Sequence, residues 1–201
     1  MSSRKTWIRQ ELFSLAVVLA AVTAARSSLA DHYYVPSGSM EYTLIPGDRV
    51  FVDKTAYGLR IPLTKIRLFG ARTPERGEIA VFDSPEDGTR LIKRIVAVGG
   101  DVVTLVDGRL TINGKPLGDD QLEHFGSHEA RLNLTPNGTV LPLGPDLVDD
   151  KIPPGMVLAI GDHRGNSKDG RFFGPISERE LFGRAVAVYY RKGEGFVWKR
   201  L

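Results

Sequence analysis

The chain has 201 residues, 42% hydrophobic and 25% charged, which is enough for one domain with a real core. Its 27 basic and 24 acidic residues leave a formal net charge of +3, too balanced to point to nucleic acid, and no Lys/Arg block interleaved with aromatics occurs. With no cysteine in the chain, disulfides, thiolate zinc sites and thiol catalysis are excluded.

Arg4, Lys5 and Arg9 precede an apolar run of 14 uncharged residues, Leu12 to Ala25, which Arg26 ends. A membrane-crossing helix needs about 20 apolar residues. Residues 12–30 reach that length if Arg26 snorkels to the interface. The basic flank favours keeping residues 1–11 in the cytoplasm, so the expectation is one anchoring helix at 12–30 that places residues 31–201 outside it. A cleavable secretory signal and a helix buried in a soluble domain are the alternatives. Tyr33 and Tyr34 suit a membrane–water boundary, as they also suit a strand.

Next comes Val35-Pro36-Ser37-Gly38-Ser39-Met40. Pro36 fixes its own φ and pushes Val35 into an extended conformation, and Gly38 permits a tight turn. Ser39 is thereby presented beside a strand end, as a plain turn residue or as a nucleophile. For the second role a hydroxyl needs a base to take its proton.

After Ala30 the sequence breaks into short β-rich runs separated by Gly, Pro and Asp. The pattern predicts strands at Arg49–Asp53, Glu78–Asp83, Leu91–Val98, Val102–Val106, Arg109–Ile112, Met156–Ile160 and Arg184–Tyr190. Asp107-Gly108 and Asn113-Gly114 are hairpin signals, and Ser177-Glu178-Arg179-Glu180 reads as a capping box opening one short helix. The expected fold is a mainly β, antiparallel domain, with a core of residues 31–103 and 155–201. A β-rich insertion is expected over residues 104–154, becoming polar and Pro/Gly-rich. It carries His124 and His128, four apart, but Gly126 weakens a helix there and no glutamate sits where a metalloprotease motif needs one, so no metal site is assigned.

In Leu91-Ile92-Lys93-Arg94-Ile95-Val96 the apolar alternation is incomplete, so this strand is expected to be covered on both faces. Lys93 and Arg94 point to opposite faces, and one of them must face the more buried side. A lysine held among apolar groups without a carboxylate partner has its charged form disfavoured and becomes a general base near neutral pH; arginine cannot. The third notable stretch, Gly161 to Gly174, is rich in Asp, Asn, Ser and Arg. Such a loop can build internal Asp–Arg pairs and could hold a hydroxyl against a lysine amine.

Taken in order, VPSGSMEYTLIPGDRVFVDK, RGEIAVF (Arg76–Phe82), LIKRIVAVGGD and GDHRGNSKDGRFFGPI resemble the boxes of the type I signal peptidase family of Ser/Lys proteases. The resemblance implies a membrane-anchored, mainly β catalytic domain, and it implies roles. Ser39 matches the nucleophile and Lys93 the general base. Ser37 matches the hydroxyl that joins the Ser39 N–H around the oxyanion. Ser167 matches the residue that orients the lysine, with Asp169 and Arg171 as a supporting pair. The substrate would add as a strand between Tyr33–Pro36 and Arg90–Ile92. Its contacts would come from Tyr34, Val35, Pro36, Leu44, Leu91 and Ile92, with Val35, Leu44 and Ile92 lining shallow pockets for small side chains such as alanine.

By the same resemblance the substrates are the signal peptides of exported preproteins. The enzyme would sit as a monomer in the bilayer of the bacterial cytoplasmic membrane, catalytic side outward, with no cofactor, metal or nucleic acid. Tyr42 and Gly99 stand where proline is usual, and His163 and Gly165 where Asn and Asp are usual. A Ser–His–Asp site using His163 and Asp162, a peptidase dedicated to one conjugation or pilus substrate, and a tethered module that binds peptides without cutting them are the competing readings. A self-cutting repressor would need a DNA-binding domain in place of the apolar N-terminus. Thr23-Ala24-Ala25 and Ser28-Leu29-Ala30 each offer small residues before a possible self-cleavage.

Overall fold

The computed structural model describes residues 10–19, 22–23, 29–61, 67–69, 72–106, 109–116 and 144–201. The histidine pair at 124 and 128, the Asp107-Gly108 turn, residues 1–9 and the Thr23-Ala24-Ala25 cut lie wholly or partly outside them.

Residues 10–19 form a helix whose bulky side chains face outward, with Leu12, Phe13, Leu15, Val17, Val18 and Leu19 all at least half exposed. This helix therefore does not pack into the domain, which overturns the alternative of a buried helix. Among the described residues no helix is long and apolar enough to cross a membrane.

The domain is built from antiparallel strands: β1 (Ala30–Tyr34), β2 (Arg49–Asp53), β3 (Leu59–Arg60), β4 (Arg67–Phe69), β5 (Ile79–Asp83), β6 (Arg90–Val98), β7 (Val102–Val106), β8 (Arg109–Ile112), β9 (Lys115–Pro116), β10 (Leu147–Lys151), β11 (Met156–Ile160), β12 (Ile176–Ser177), β13 (Gly183–Arg191) and β14 (Gly195–Arg200). An eight-stranded sheet runs β1-β2-β13-β5-β6-β11-β12, with β14 paired to β13. A four-stranded sheet, β10-β7-β8-β9, covers one end, and β3-β4 forms a small ribbon.

The strands expected from alternating or continuous apolar runs all form. β2 alternates exposed and buried residues, so Val50 and Val52 enter the core while Arg49 and Phe51 face out. β6 is buried on both faces through Lys93–Ala97, as its incomplete alternation required. At the β8–β9 turn Asn113 and Gly114 both take positive φ, 52° and 73°, as a two-residue hairpin of the mirror-image turn type needs.

The strands the sequence hid are short or lie largely at the surface. β10 carries LVDDK and is almost wholly exposed; it is held by its ladder to β7 across an irregularity. Ala30, given above to the apolar segment, opens β1 instead and pairs with Asp53, while the Leu29 carbonyl accepts from Lys54 N–H. A cut after Ala30 would have to fall within that ladder. Ser177 does cap a helix, but its Oγ accepts from Arg179 N–H and the helix is a single 3₁₀ turn, Glu178–Glu180.

Three apolar clusters position the site. Val35, Met40 and Leu44 pack with Val50, Val52, Ile79, Val81, Ala185 and Val188 beneath the Ser39 turn. Phe82, Ile95 and Ala159 of β5, β6 and β11 pack with Leu181 in the core. Val103, Leu105, Leu110 and Ile112 of the smaller sheet pack with Val96, Leu158 and Ile160, so the two sheets share one core.

Candidate active site

Ser39 sits in a 3₁₀ turn, Gly38–Met40, entered from extended Ser37. Met40 is fully buried below it, and the chain beyond is tied back to the core by an ion pair. Asp48 accepts from Arg191 Nε at 3.0 Å and Nη2 at 2.7 Å, and from Ile45 N–H at 3.1 Å. Arg191 thus fixes the far end of the serine loop to the end of β13.

Lys93 projects from β6 into this region, and its Nζ donates to Ser39 Oγ at 2.6 Å. Both residues are buried, Lys93 to 3% and Ser39 to 9% exposure. Burial in apolar surroundings disfavours the ammonium and lowers the Lys93 pKa to about 8; the charges of Asp169 and Asp162 only partly oppose this, and Arg171 adds to it. Lys93 makes no ion pair among the described residues. An amine that is neutral in a sizeable fraction near pH 8, against a serine hydroxyl, has the arrangement that a general base and its nucleophile require.

Arg94, the next residue, is also buried, at 6%. The two side chains point to opposite faces of a strand covered on both, so both are buried. Arg94 is held by a carboxylate fork, Nε to Asp162 Oδ1 at 2.8 Å and Nη2 to Oδ2 at 2.7 Å, and it donates to the Gly77 carbonyl at 2.8 Å. Thr43 Oγ1 donates to Asp162 Oδ2 at 2.6 Å and accepts from Arg94 Nη2 at 3.0 Å. One buried network thereby ties the serine loop, the lysine strand and the loop after β11. The sequence signal was present, an Arg beside the lysine and an Asp opening the polar loop, but the pairing links residues 68 positions apart.

The polar loop builds the internal pair expected of it. Asp169 caps the short helix Gly170–Phe173 and forks onto Arg171, Oδ1 to Nε and Oδ2 to Nη2, both at 2.9 Å. Asp169 Oδ2 also accepts from Gly161 N–H at 2.8 Å. Burial resists the carboxylate charge, but Arg171 prevails and the Asp169 pKa is lowered. Arg171 Nη2 further donates to the Ser167 carbonyl at 3.1 Å.

Ser167 Oγ is buried and makes no hydrogen bond of good geometry. The bond to Lys93 implied by the resemblance is therefore not made; the amine's bond goes to Ser39. Ser167 is nonetheless close to the nucleophile through Gly161. A Cβ on Gly161 would lie 2.2 Å from Ser167 Oγ and 2.6 Å from the Ser39 carbonyl oxygen, so only glycine lets the two backbones approach. His163 N–H donates to that same Ser39 carbonyl at 3.1 Å.

The His163 side chain is turned elsewhere: its Nδ1 is 3.1 Å from Glu41 Oε2, and Asp162 is engaged by Arg94. The Ser–His–Asp alternative is therefore not assembled. Ser37, Tyr34 and Pro36 are exposed, and Leu91 and Ile92 are half-buried. Val35 and Leu44 are 2% and 0% exposed and belong to the core, so they form the floor beneath the site rather than an open wall. Among the described residues no cluster of His, Asp and Glu could hold a metal ion.

The family model described as signal peptidase, peptidase S26, matches residues 5–190. The chain is 32% identical to a signal peptidase I of Pseudomonas fluorescens over 86% of its own length and 69% of that protein's. It is 31% identical to a probable signal peptidase I-2 of Synechocystis over 92% of its length and 74% of that protein's. It also resembles the crystal structure of a signal peptidase I from Enterococcus faecalis, with TM-score 0.45 and 28% identity, over 57% of this chain and 98% of that one.

Proposed function

Since the chain belongs to the signal peptidase family, peptidase S26, we propose that this peptidase removes N-terminal signal peptides from exported preproteins, cutting after small residues with a Ser39/Lys93 dyad. The observation that carries the reading is the 2.6 Å contact between a buried, charge-depleted amine and a serine hydroxyl.

In this reading the reaction runs through an acyl-enzyme. Neutral Lys93 takes the Ser39 proton as Oγ attacks the scissile carbonyl carbon. The Ser39 N–H and the Ser37 hydroxyl hold the developing oxyanion, and one such donor contributes roughly 3–4 kcal/mol to the transition state. Collapse passes the proton from Lys93 to the leaving amine and frees the mature protein. The signal peptide stays esterified to Ser39. Lys93 then activates a water, which attacks the ester and restores the free hydroxyl.

Two edges support strand addition of the substrate. β6 pairs with β11 only through Arg94–Val98, so its Arg90–Lys93 half has an open side leading to the base. Among the described residues β1 has β2 on one side and no strand on the other. Arg90 Nη1 reaches the Tyr33 hydroxyl at 2.9 Å, linking the two edges beside Val35. An extended segment laid there brings its main chain to Ser39, with specificity read in the pockets along it. In this reading Ile92, half-buried and packed against the Val35/Leu44 cluster, lines the pockets for side chains of alanine size.

The apolar segment that precedes β1, residues 12–29, acts in this reading as the membrane anchor. The exposed apolar helix at 10–19 supports it. So does the exposed aromatic group of Tyr34, Phe51, Phe196 and Trp198, for which a membrane interface is a suitable setting. The enzyme then works as a monomer at the outer face of the bacterial cytoplasmic membrane, where its substrate's apolar helix is already concentrated. No cofactor enters the scheme. Incubating the detergent-solubilised protein with a preprotein carrying an Ala-X-Ala signal peptide tests the reading. Release of a mature chain beginning after the second alanine supports it; an intact preprotein overturns it.

A further inference from the structure

Glu41 and His163 form a pair beside the nucleophile that the mechanism above does not use. His163 Nδ1 lies 3.1 Å from Glu41 Oε2, and both side chains are part-buried, at 19% and 33% exposure. The Glu41 carboxylate lies flat against the serine turn. Its Cδ and Oε1 are 2.7 Å, and its Oε2 2.9 Å, from where a Cβ on Gly38 would be. Gly38 is the residue between Ser37 and Ser39, the two to which the oxyanion donors are assigned. A carboxylate at that place is an adverse neighbour. It repels an oxyanion, and the free N–H groups at the start of the 3₁₀ turn are acceptable partners for it. His163 supplies an alternative donor. Its own backbone N–H is already fixed on the Ser39 carbonyl at 3.1 Å, so the imidazole is set relative to the turn.

We propose that His163 is a positioning residue that holds the Glu41 carboxylate off the Ser39 N–H, leaving that donor for the oxyanion. This rests on the signal peptidase reading of the site. It assigns His163 no proton transfer with the substrate and Glu41 no contact with it. It also gives a reason for a histidine at a position where the resemblance implies asparagine, since both can donate to Glu41.

The test is the kcat and KM for an Ala-X-Ala preprotein in detergent at pH 8, for wild type, His163→Ala, His163→Asn and the double variant His163→Ala/Glu41→Ala. His163→Ala is expected to lower kcat about tenfold with KM changed less than about twofold, because the donor matters in the transition state. His163→Asn restores most of the loss. The double variant recovers at least about fivefold over His163→Ala, since no carboxylate remains to restrain. A residue that only packs the loop gives no such recovery. Should His163→Ala not fold, His163→Leu fills the imidazole's space without a donor and takes its place. A His163→Ala enzyme at the wild-type rate, or a double variant no better than the single, overturns the inference while leaving the signal peptidase reading intact. A wild type that cuts nothing overturns both.

Discussion

Lys93 and Arg94 are consecutive in β6 and both buried, at 3% and 6% exposure, yet only Arg94 is forked onto a carboxylate. The strand therefore carries one cation whose charge is fully compensated and one whose charge is disfavoured. The first ties the site together, and the second is the base of the proposed mechanism.

The uncompensated lysine makes activity and stability depend on pH in linked ways. With its pKa lowered to about 8 by burial, the active neutral form accumulates as pH rises, so kcat/KM for a preprotein increases through about pH 8 and then levels. The unfolded chain keeps its proton up to the ordinary lysine value of 10.5, so between about 8 and 10.5 the unfolded state binds more protons and folding stability rises with pH. Below that window the buried ammonium carries its full penalty. Lys93→Met, inactive, is expected to be more stable than wild type at pH 7 by on the order of 3 kcal/mol, with the gap closing toward pH 10.5. Denaturant melts of the two proteins at pH 7 and pH 10 measure this.

The Arg94–Asp162–Thr43 network predicts asymmetric losses. Removing one partner strands a buried charge, so Arg94→Met or Asp162→Asn should each destabilise the fold by about 3 kcal/mol. The double variant should lose less than the sum, and a double-mutant cycle on unfolding free energy reads the coupling. Both single variants should also lower kcat, because Thr43 and the serine loop lose their tie to β6.

Gly161 has no room for a side chain. In Gly161→Ala the new Cβ meets Ser167 Oγ at 2.2 Å and the Ser39 carbonyl at 2.6 Å, and the second contact is backbone that cannot rotate away. Ser39 must move relative to Lys93. A drop in kcat of about a hundredfold is expected, with KM little changed and a stability loss of about 1–3 kcal/mol.

Ser167 Oγ is the clearest polar atom left over, buried with no bond of good geometry. A hydroxyl held in that state adds nothing to folding, so Ser167→Ala should keep the wild-type Tm or raise it. Once Lys93 carries the Ser39 proton its ammonium has N–H groups to place, and the Ser167 hydroxyl, whose interaction with Asp169 helps lower that carboxyl's pKa, still has an oxygen able to accept one. Steady-state rates should therefore show kcat about tenfold lower in Ser167→Ala at an unchanged melting temperature.

Much of this was legible in the chain itself. Apolar patterning marked β2, β5, β6, β7, β8, β11 and β13, because their side chains make the cores. β10 was not legible, since LVDDK is held by ladder hydrogen bonds to β7 rather than by burial, and β14 pairs with β13 at the surface, with Phe196 and Trp198 exposed. At the site, Ser39 and Lys93 could be paired by chemistry and by resemblance. The second buried cation could not, because Arg94 is tolerated inside only through Asp162, 68 residues away, and no local pattern reports such a partner. Asp48 with Arg191 and Glu41 with His163 escaped for the same reason, with separations of 143 and 122 residues.

The dyad is tested most directly by the cleavage rate of a preprotein by Lys93→Ala beside wild type, in detergent at pH 9, with folding checked by circular dichroism. A folded Lys93→Ala slower by at least about a thousandfold is the predicted result. A folded Lys93→Ala that cuts within tenfold of wild type would contradict the assignment of Lys93 as the base.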